Sequence, residues 1–372
     1  MDTNKKKVVI GMSGGVDSSV AAALLKEKGY EVIGLTMRLW DGEEINGSLA
    51  EGTCCSHSAA EDAKFVCHKL GIEHYVLDFR RDFEESVINY FVDEYKNGRT
   101  PNPCIACNKF LKFDAMLKKA ELLGAEYVAT GHYAKIEYNK EANRYLLKRA
   151  KAERKDQTYA LYSLSQNQLA KTLMPLGELE NKDETRAIAE RLGLVTAKKP
   201  DSMEICFVPD KDYASFIERR TGEQEKEGFF VDKDGNILGK HKGIIHYTIG
   251  QRKGLGIAFG KPMFVTEIDA ENNRVVLGEA GEEFSLGLVA EKANFIPFDD
   301  LKEPLRVGAK VRYSAKEAAA RVEPLEDGKV KVIFDEPQRA VTPGQAIVFY
   351  ELGGDLVLGG GIISKSKISD SF

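Results

Sequence analysis

A glycine-rich turn, Gly11-Met12-Ser13-Gly14-Gly15-Val16-Asp17-Ser18-Ser19, joins an apolar run to an Ala- and Leu-rich segment. Residues 7–12 read as a buried strand and residues 18–28 as a helix that Gly29 stops. The next hundred residues keep the same grammar. Residues 31–39 form a second apolar strand, 58–70 an amphipathic helix ended by Gly71, and 74–77 a third strand. Residues 110–123 then read as a helix ended by Gly124, and 127–130 as a short strand. Strands alternating with helices of about 10–15 residues require a parallel sheet with right-handed crossovers. The expected fold is therefore α/β, a doubly wound sheet that binds ligands at the carboxyl ends of its strands.

After about residue 210 the pattern changes. Residues 263–268 and 274–277 flank a polar turn and read as a hairpin. Short alternating strands follow at 306–313, 320–324, 329–334, 345–350 and 356–361, separated by Gly-, Pro- and Asp-rich turns, as in a small β-barrel. Three domains are expected, at 1–210, 211–282 and 283–372, the middle one mixing helix and strand. No apolar run reaches the roughly 18–20 residues that span a bilayer. The polar start of the chain leaves no room for a signal peptide, so a cytoplasmic protein is expected. The net charge is −5, yet residues 99–157 hold 13 Lys+Arg against seven Asp+Glu. That local excess suits a polyanion bound at one place.

The turn at 11–19 has the chemistry of an anion site. Its glycines let the backbone aim N–H groups at one point, the helix N-terminus adds partial positive charge, and Ser13, Ser18 and Ser19 add hydroxyls. Asp17, an acid at such a site, suits orienting Mg²⁺ or the loop itself. Neither GxxxxGK[ST] nor GxGxxG fits. A second motif is Gly98-Arg99-Thr100-Pro101-Asn102-Pro103-Cys104-Ile105-Ala106-Cys107-Asn108-Lys109. Its prolines keep the chain extended until a helix begins near Cys104, which sets Cys104 and Cys107 one turn apart. Thiols there, beside Lys109 and Lys112, suit a nucleophile or a metal ligand. A third thiol, Cys206, stands in Asp201-Ser202-Met203-Glu204-Ile205-Cys206-Phe207-Val208. Cys54, Cys55, His57, Cys67 and His68 lack zinc-site spacing and are expected as core or loop residues.

The first loop resembles the PP-loop of ATP pyrophosphatases, which cleave ATP between its α and β phosphates and adenylate an oxygen. Further segments make the resemblance specific: GRTPNPCIACNKFLKF, ATGHYA (129–134), KDQTYAL (155–161), KPDSMEICFV (199–208), HYTIGQRKGLGI (246–257) and VTPGQAIVFY (341–350). In that order, over nearly the whole chain, they are similar to the bacterial tRNA-specific 2-thiouridylases, which replace the 2-oxygen of the wobble uridine of tRNA (Lys/Glu/Gln type) with sulfur. The resemblance implies that Gly11, Met12, Ser13, Gly14, Gly15, Val16, Asp17 and Ser18 hold the ATP phosphates, with Met37 and Gly131 at the adenosine. It implies that Cys107 is the nucleophile, that Cys206 carries a persulfide, and that Asn102, Pro103 and Cys104 meet the target base. By the same resemblance His132, Lys155, Asp156, Gln157, Arg312, Tyr313 and Gln345 contact tRNA.

One departure from the pattern stands out. The commoner family residue at position 104 is Asp. With Cys104, Cys107 and Cys206 together, the site is also similar to tRNA thiolases that hold a [4Fe–4S] cluster, so a persulfide relay and a cluster both stay open. The relay would end with a Cys107–Cys206 disulfide and would use residues 199–208 as a lid. ATP and Mg²⁺ are the expected cofactors. The expected partners are tRNA and a sulfur donor, either a cysteine desulfurase or a sulfur-relay protein. Two rivals remain: a PP-loop enzyme acting on a small metabolite, and a non-catalytic tRNA binder or sulfur carrier.

Overall fold

The structure, a computed structural model, describes residues 5–40, 57–201 and 205–364. Cys54, Cys55 and positions 202–204 of the expected lid lie outside the described residues, as does the side chain of His57. The chain divides into two compact units.

The first unit comprises Met1–Val87, Cys104–Lys211 and Asp355–Val357. Its strands are β1 (Lys7–Gly11), β2 (Glu31–Arg38), β3 (Glu73–Asp78), β4 (Tyr127–Ala129), the hairpin β5 (Ala134–Asn139) and β6 (Arg144–Arg149), and β7 (Thr172–Leu173). Five of these make an all-parallel sheet in the order β3-β2-β1-β4-β7. The chain winds outward from β1 in both directions, so the switch point lies between β1 and β4. Helix α1 (Val16–Glu27) is buried along Val20, Ala21, Ala22, Ala23 and Leu25, small residues that let it lie close to its neighbours. Val8 and Ile10 of β1 share that core with Val66 and Cys67 of α2 (His57–Leu70) and Ile188 and Ala189 of α3 (Lys182–Arg191). Each fully buried Val, Leu or Ile contributes about 1.5–3 kcal/mol.

The second unit comprises Ile88–Pro103, Asp212–Gly354 and Leu358–Phe372. Helix α4 (Tyr213–Thr221) is capped by Asp212, whose carboxylate accepts from Ser215 N at 3.0 Å. Tyr213 stacks on Tyr95 with ring centroids 6.1 Å apart. A four-stranded sheet runs in the order β10-β11-β8-β9, from β8 (Gly228–Val231), β9 (Ile237–His241), β10 (Met263–Asp269) and β11 (Arg274–Glu279). The last six strands close a barrel: β12 (Phe284–Phe295), β13 (Leu305–Lys310), β14 (Ala318–Pro324), β15 (Val330–Arg339), β16 (Ala346–Tyr350) and β17 (Val357–Ile363). The doubly wound sheet, the small mixed domain and the barrel expected from the pattern are all present.

Three local expectations change. The strand expected at 306–313 stops at Lys310, and Arg312 and Tyr313 lie in the following turn, closed by Ala315 N donating to Arg312 O at 3.1 Å. The first barrel strand, β12, carries no clean alternation and was not anticipated. The helix expected to begin near Cys104 does begin there, at Pro103, and the one expected separately at 110–123 is its continuation to Leu122. Proline suits a first helical position, where the missing N–H leaves no bond unmade. From Cys107 to Ala115 this helix is π-helical, before returning to α geometry over Met116–Leu122.

Candidate active site

The loop between β1 and α1 is closed by its own hydroxyls. Ser18 and Ser19 Oγ donate to Gly15 O at 3.2 and 2.8 Å, and Ser13 N donates to Ser18 Oγ at 3.2 Å. Gly14 has φ +66°, and a Cβ there would lie 2.2 Å from Ala59 O of α2. Gly131, just past β4, packs face to face with the loop. A Cβ at 131 would lie 2.7 Å from Ser18 N and 2.8 Å from Asp17 C. The two ends of the switch point therefore meet at Gly11–Ser18 and Gly131, where a doubly wound sheet accepts its ligand. Thr36 Oγ1, one residue before Met37 on β2, donates to Met12 O at 2.9 Å and therefore accepts from His74 Nε2, also at 2.9 Å.

Asp17 is the electrostatic centre of this site. Lys182 Nζ lies 2.7 Å from each of its carboxylate oxygens, and Tyr133 OH donates to Oδ1 at 2.9 Å. Lys182 also pairs with Asp201 at 2.8 Å, and Asp201 in turn pairs with Lys155 at 2.8 Å and with Arg186 at 3.4 Å. Burial pushes the Asp201 carboxyl up, but hydrogen bonds from Lys155 and Lys182 outweigh it and hold it below its ordinary value. On the other side of the loop, Lys199 Nζ donates to Gly14 O at 3.1 Å and to Asp62 at 2.7 Å. Lys182, Lys199, Asp201 and Tyr133 were missed as site residues. Lys199 and Asp201 stood inside a quoted motif, whereas Lys182 sits in a charged helix start whose sequence carries no signal of the loop.

The thiols sit apart in character. Cys104 is exposed, and Cys107, the first residue of the π-helical stretch, is half-buried. Asn108, beside it, is buried and donates to Ala160 O at 3.0 Å, tying this helix to the 155–161 segment. Cys206 is half-buried, next to Phe207, whose ring meets Phe83 edge-on at 5.7 Å. Cys67 lies wholly in the core, and burial pushes its thiol up to about 12. His68 is exposed, so the two neighbours face different ways, as a helix requires.

The expected tRNA residues divide. Asp156 accepts from Ala150 N at 3.1 Å, and Gln157 Oε1 accepts from Tyr133 N at 3.0 Å, so both side chains hold their own loop. His132 is buried against Thr130, 2.7 Å from its hydroxyl, and desolvation, with Lys112 nearby, holds it neutral. In the second unit Gln345 Nε2 donates to Thr100 O at 2.9 Å and Pro101 O at 3.2 Å. It thereby fixes the backbone that leads into Asn102 and Pro103. Tyr313 is half exposed, with Lys310 Nζ 5.8 Å over its ring, and Arg312 donates to Arg339 O at 2.9 Å.

Three family profiles match the chain. They are described as "tRNA methyl transferase HUP domain" at residues 6–210, "tRNA methyl transferase PRC-barrel domain" at 214–279 and "Aminomethyltransferase beta-barrel domain" at 285–363. The chain is 62% identical over 360 residues to tRNA-specific 2-thiouridylase MnmA of Acetivibrio thermocellus, covering 97% of this chain and 99% of that one. It is 58% identical over 361 residues to the protein of the same name from Clostridioides difficile, covering 97% and 99%. The chain belongs to the tRNA-specific 2-thiouridylase family. As a 2-thiouridylase it is a tRNA sulfurtransferase, and the nucleotide-type sheet at 6–210 is the part suited to ATP. Among the described residues, no helix is long and apolar enough to cross a membrane.

Proposed function

We propose that this chain adenylates the 2-carbonyl oxygen of the wobble uridine in tRNA (Lys/Glu/Gln type) and replaces it with sulfur from a persulfide on Cys206. The observation that carries the reading is the closed phosphate loop at the switch point, in a chain matched end to end by 2-thiouridylases. The work is divided among domains at 1–210, 211–282 and 283–372.

A carbonyl oxygen is a very poor leaving group. Its attack on the α-phosphorus breaks the bond to the bridging oxygen, and pyrophosphate departs with the electron pair. Loop N–H groups from Gly14 to Ser18 and the N-terminus of α1 stabilise that charge, Gly11, Met12 and Ser13 shape the loop by bonding within the protein, and Met37 and Gly131 flank the adenosine. Mg²⁺ fits here with the polyphosphate, because Asp17 is a carboxylate at the loop and already accepts a cation, the Lys182 ammonium. Bound there, it would neutralise phosphate charge. The terminal persulfide sulfur then adds to C2 and AMP leaves. The Cys107 thiolate attacks Cys206 Sγ and breaks the S–S bond. Both electrons stay with the sulfur on C2, and the Cys107–Cys206 disulfide that forms is reopened by a dithiol reductant. Cys206 is recharged by a sulfur donor, a cysteine desulfurase or a sulfur-relay protein, in the cytoplasm.

Cys104, Cys107 and Cys206 do not fit a [4Fe–4S] cluster. Among the described residues no three His, Cys, Asp or Glu side chains gather as metal ligands. No step is drawn through a cluster. Asn102, Pro103 and Cys104 meet the base. His132, Lys155, Asp156, Gln157, Arg312, Tyr313 and Gln345 form the RNA side, several of them by shaping backbone rather than by presenting a side chain.

Mass spectrometry of nucleosides from tRNA incubated with the chain, ATP, Mg²⁺ and a persulfide donor should show 2-thiouridine only when ATP is present. ATP–pyrophosphate exchange that runs fully without RNA would instead indicate a small-molecule adenylating enzyme. Cys104 gives a finer check. Because it is exposed and only adjoins the base, Cys104→Ser should keep thiolation within about tenfold of the parent, a loss of roughly 1.4 kcal/mol in barrier height. Inactivity of a folded, iron-bearing parent's Cys104→Ser form would defeat the relay.

A further inference from the structure

Lys182 has no place in any motif of the sequence, yet its ammonium touches the phosphate loop more closely than any other cation described. Its side chain is only 12% exposed, and it bridges Asp17 of the loop and Asp201 of the 199–208 segment. A buried ammonium is costly without partners, and this one has two carboxylates and the face of Tyr133, 5.9 Å away. Asp201 needs only one cation for neutrality but has three: Lys155, Lys182 and Arg186. Around Asp17 and Asp201 the cations thus outnumber the carboxylates by one. Lys199, at the Gly14 carbonyl, places a second ammonium on the other flank of the loop, where Asp62 balances it at 2.7 Å. The surplus positive charge is placed where an anion of higher charge than Asp17 would sit.

We propose that Lys182 is a phosphate-binding residue of the adenylation step, held at the loop by the Asp17–Asp201 pair until the β- and γ-phosphates take it over. A lysine suits this better than an arginine, because a compact ammonium on a flexible stem can exchange one oxygen for another by rotating. Its charge is then next to the pyrophosphate as the α–β bond breaks and negative charge grows on the leaving group. Asp201 is the positioning residue. It keeps Lys182 extended toward the loop, and Arg186 and Lys155 remain with it when Lys182 turns to phosphate. The inference rests on the adenylation reading above but concerns only which phosphates Lys182 senses.

The test compares ligands that differ by the β- and γ-phosphates. In the full-length chain, Lys182→Met keeps the apolar stem and removes the charge. Calorimetry should show affinity for Mg-ATP and for Mg-pyrophosphate falling at least tenfold, with AMP affinity within twofold. Pyrophosphate release with tRNA should fall by about a hundredfold, the usual cost of losing one group that stabilises a leaving or oxyanion charge. Lys182→Arg should recover part of the ATP affinity. Because Lys182→Met strands two carboxylates, the pair Lys182→Met with Asp201→Asn is measured beside it and must show the same selectivity. Equal losses for AMP and ATP, or no loss for either, in whichever variant folds, would overturn the proposal and leave Lys182 as a structural bridge. Failure of the parent reading would look different: the unmodified chain would release no pyrophosphate with tRNA, whatever its affinities.

Discussion

Cys206→Ser and Cys107→Ser should each reduce 2-thiouridine formation by more than about a thousandfold, as loss of a nucleophile generally does, while pyrophosphate release with tRNA and ATP should stay within a few-fold. The reason is a division of labour. On the proposed mechanism adenylation uses the loop between β1 and α1, which Ser13, Ser18 and Ser19 close with their own hydrogen bonds. Sulfur transfer, on the same proposed mechanism, uses the thiols, one at the start of a π-helical stretch and one beside the buried Phe207. With Cys206→Ser no persulfide forms. With Cys107→Ser the persulfide forms but cannot be resolved by a protein thiol, so labelled sulfur should remain on Cys206. Radiolabelled sulfide followed by non-reducing electrophoresis separates the two variants. Loss of pyrophosphate release alongside thiolation, in folded protein, would mean that the thiols take part in activating the uridine.

Gly14→Ala should remove nucleotide binding almost completely. Two independent effects act on the same atom. The φ of +66° costs a side-chain-bearing residue about 1–3 kcal/mol, and the new methyl group would stand 2.2 Å from the Ala59 carbonyl oxygen, a backbone atom that cannot turn away. The loop has to open, its N–H groups lose their common focus, and pyrophosphate release should fall by at least about a hundredfold. Gly15→Ala provides the contrast within the same motif. Gly15 has φ −99°, and a Cβ there comes no closer than 3.4 Å to Ser13 Oγ, so its loss should be far smaller. Similar losses for the two variants, with unchanged melting curves, would show that the loop tolerates rearrangement and that its glycines matter for some other reason.

Much of this molecule is legible without coordinates, for a physical reason. A strand, a glycine turn and a helix are local objects, and residues 7–28 specify all three through periodicity, missing side chains and a stop at Gly29. The barrel likewise announces itself through short alternating strands between polar turns. Motifs such as 98–109 and 199–208 are contiguous, so their chemistry can be read in place.

What tertiary structure alone decided is which distant charges meet. Lys182 lies 165 residues from Asp17, and in sequence it opens an ordinary polar helix. Only the winding of the sheet brings α3 beside α1 and sets its first lysine against the loop. Tertiary structure also decided that Asp156, Gln157 and Gln345, proposed for the RNA side, make internal hydrogen bonds with their side chains. The π-helical stretch that starts at Cys107, with Asn108, Leu111 and Phe113 buried, leaves no mark in the spacing of the cysteines. Local steric and hydrophobic rules write the elements into the chain, whereas a salt bridge between separate elements depends on distances that no single segment contains.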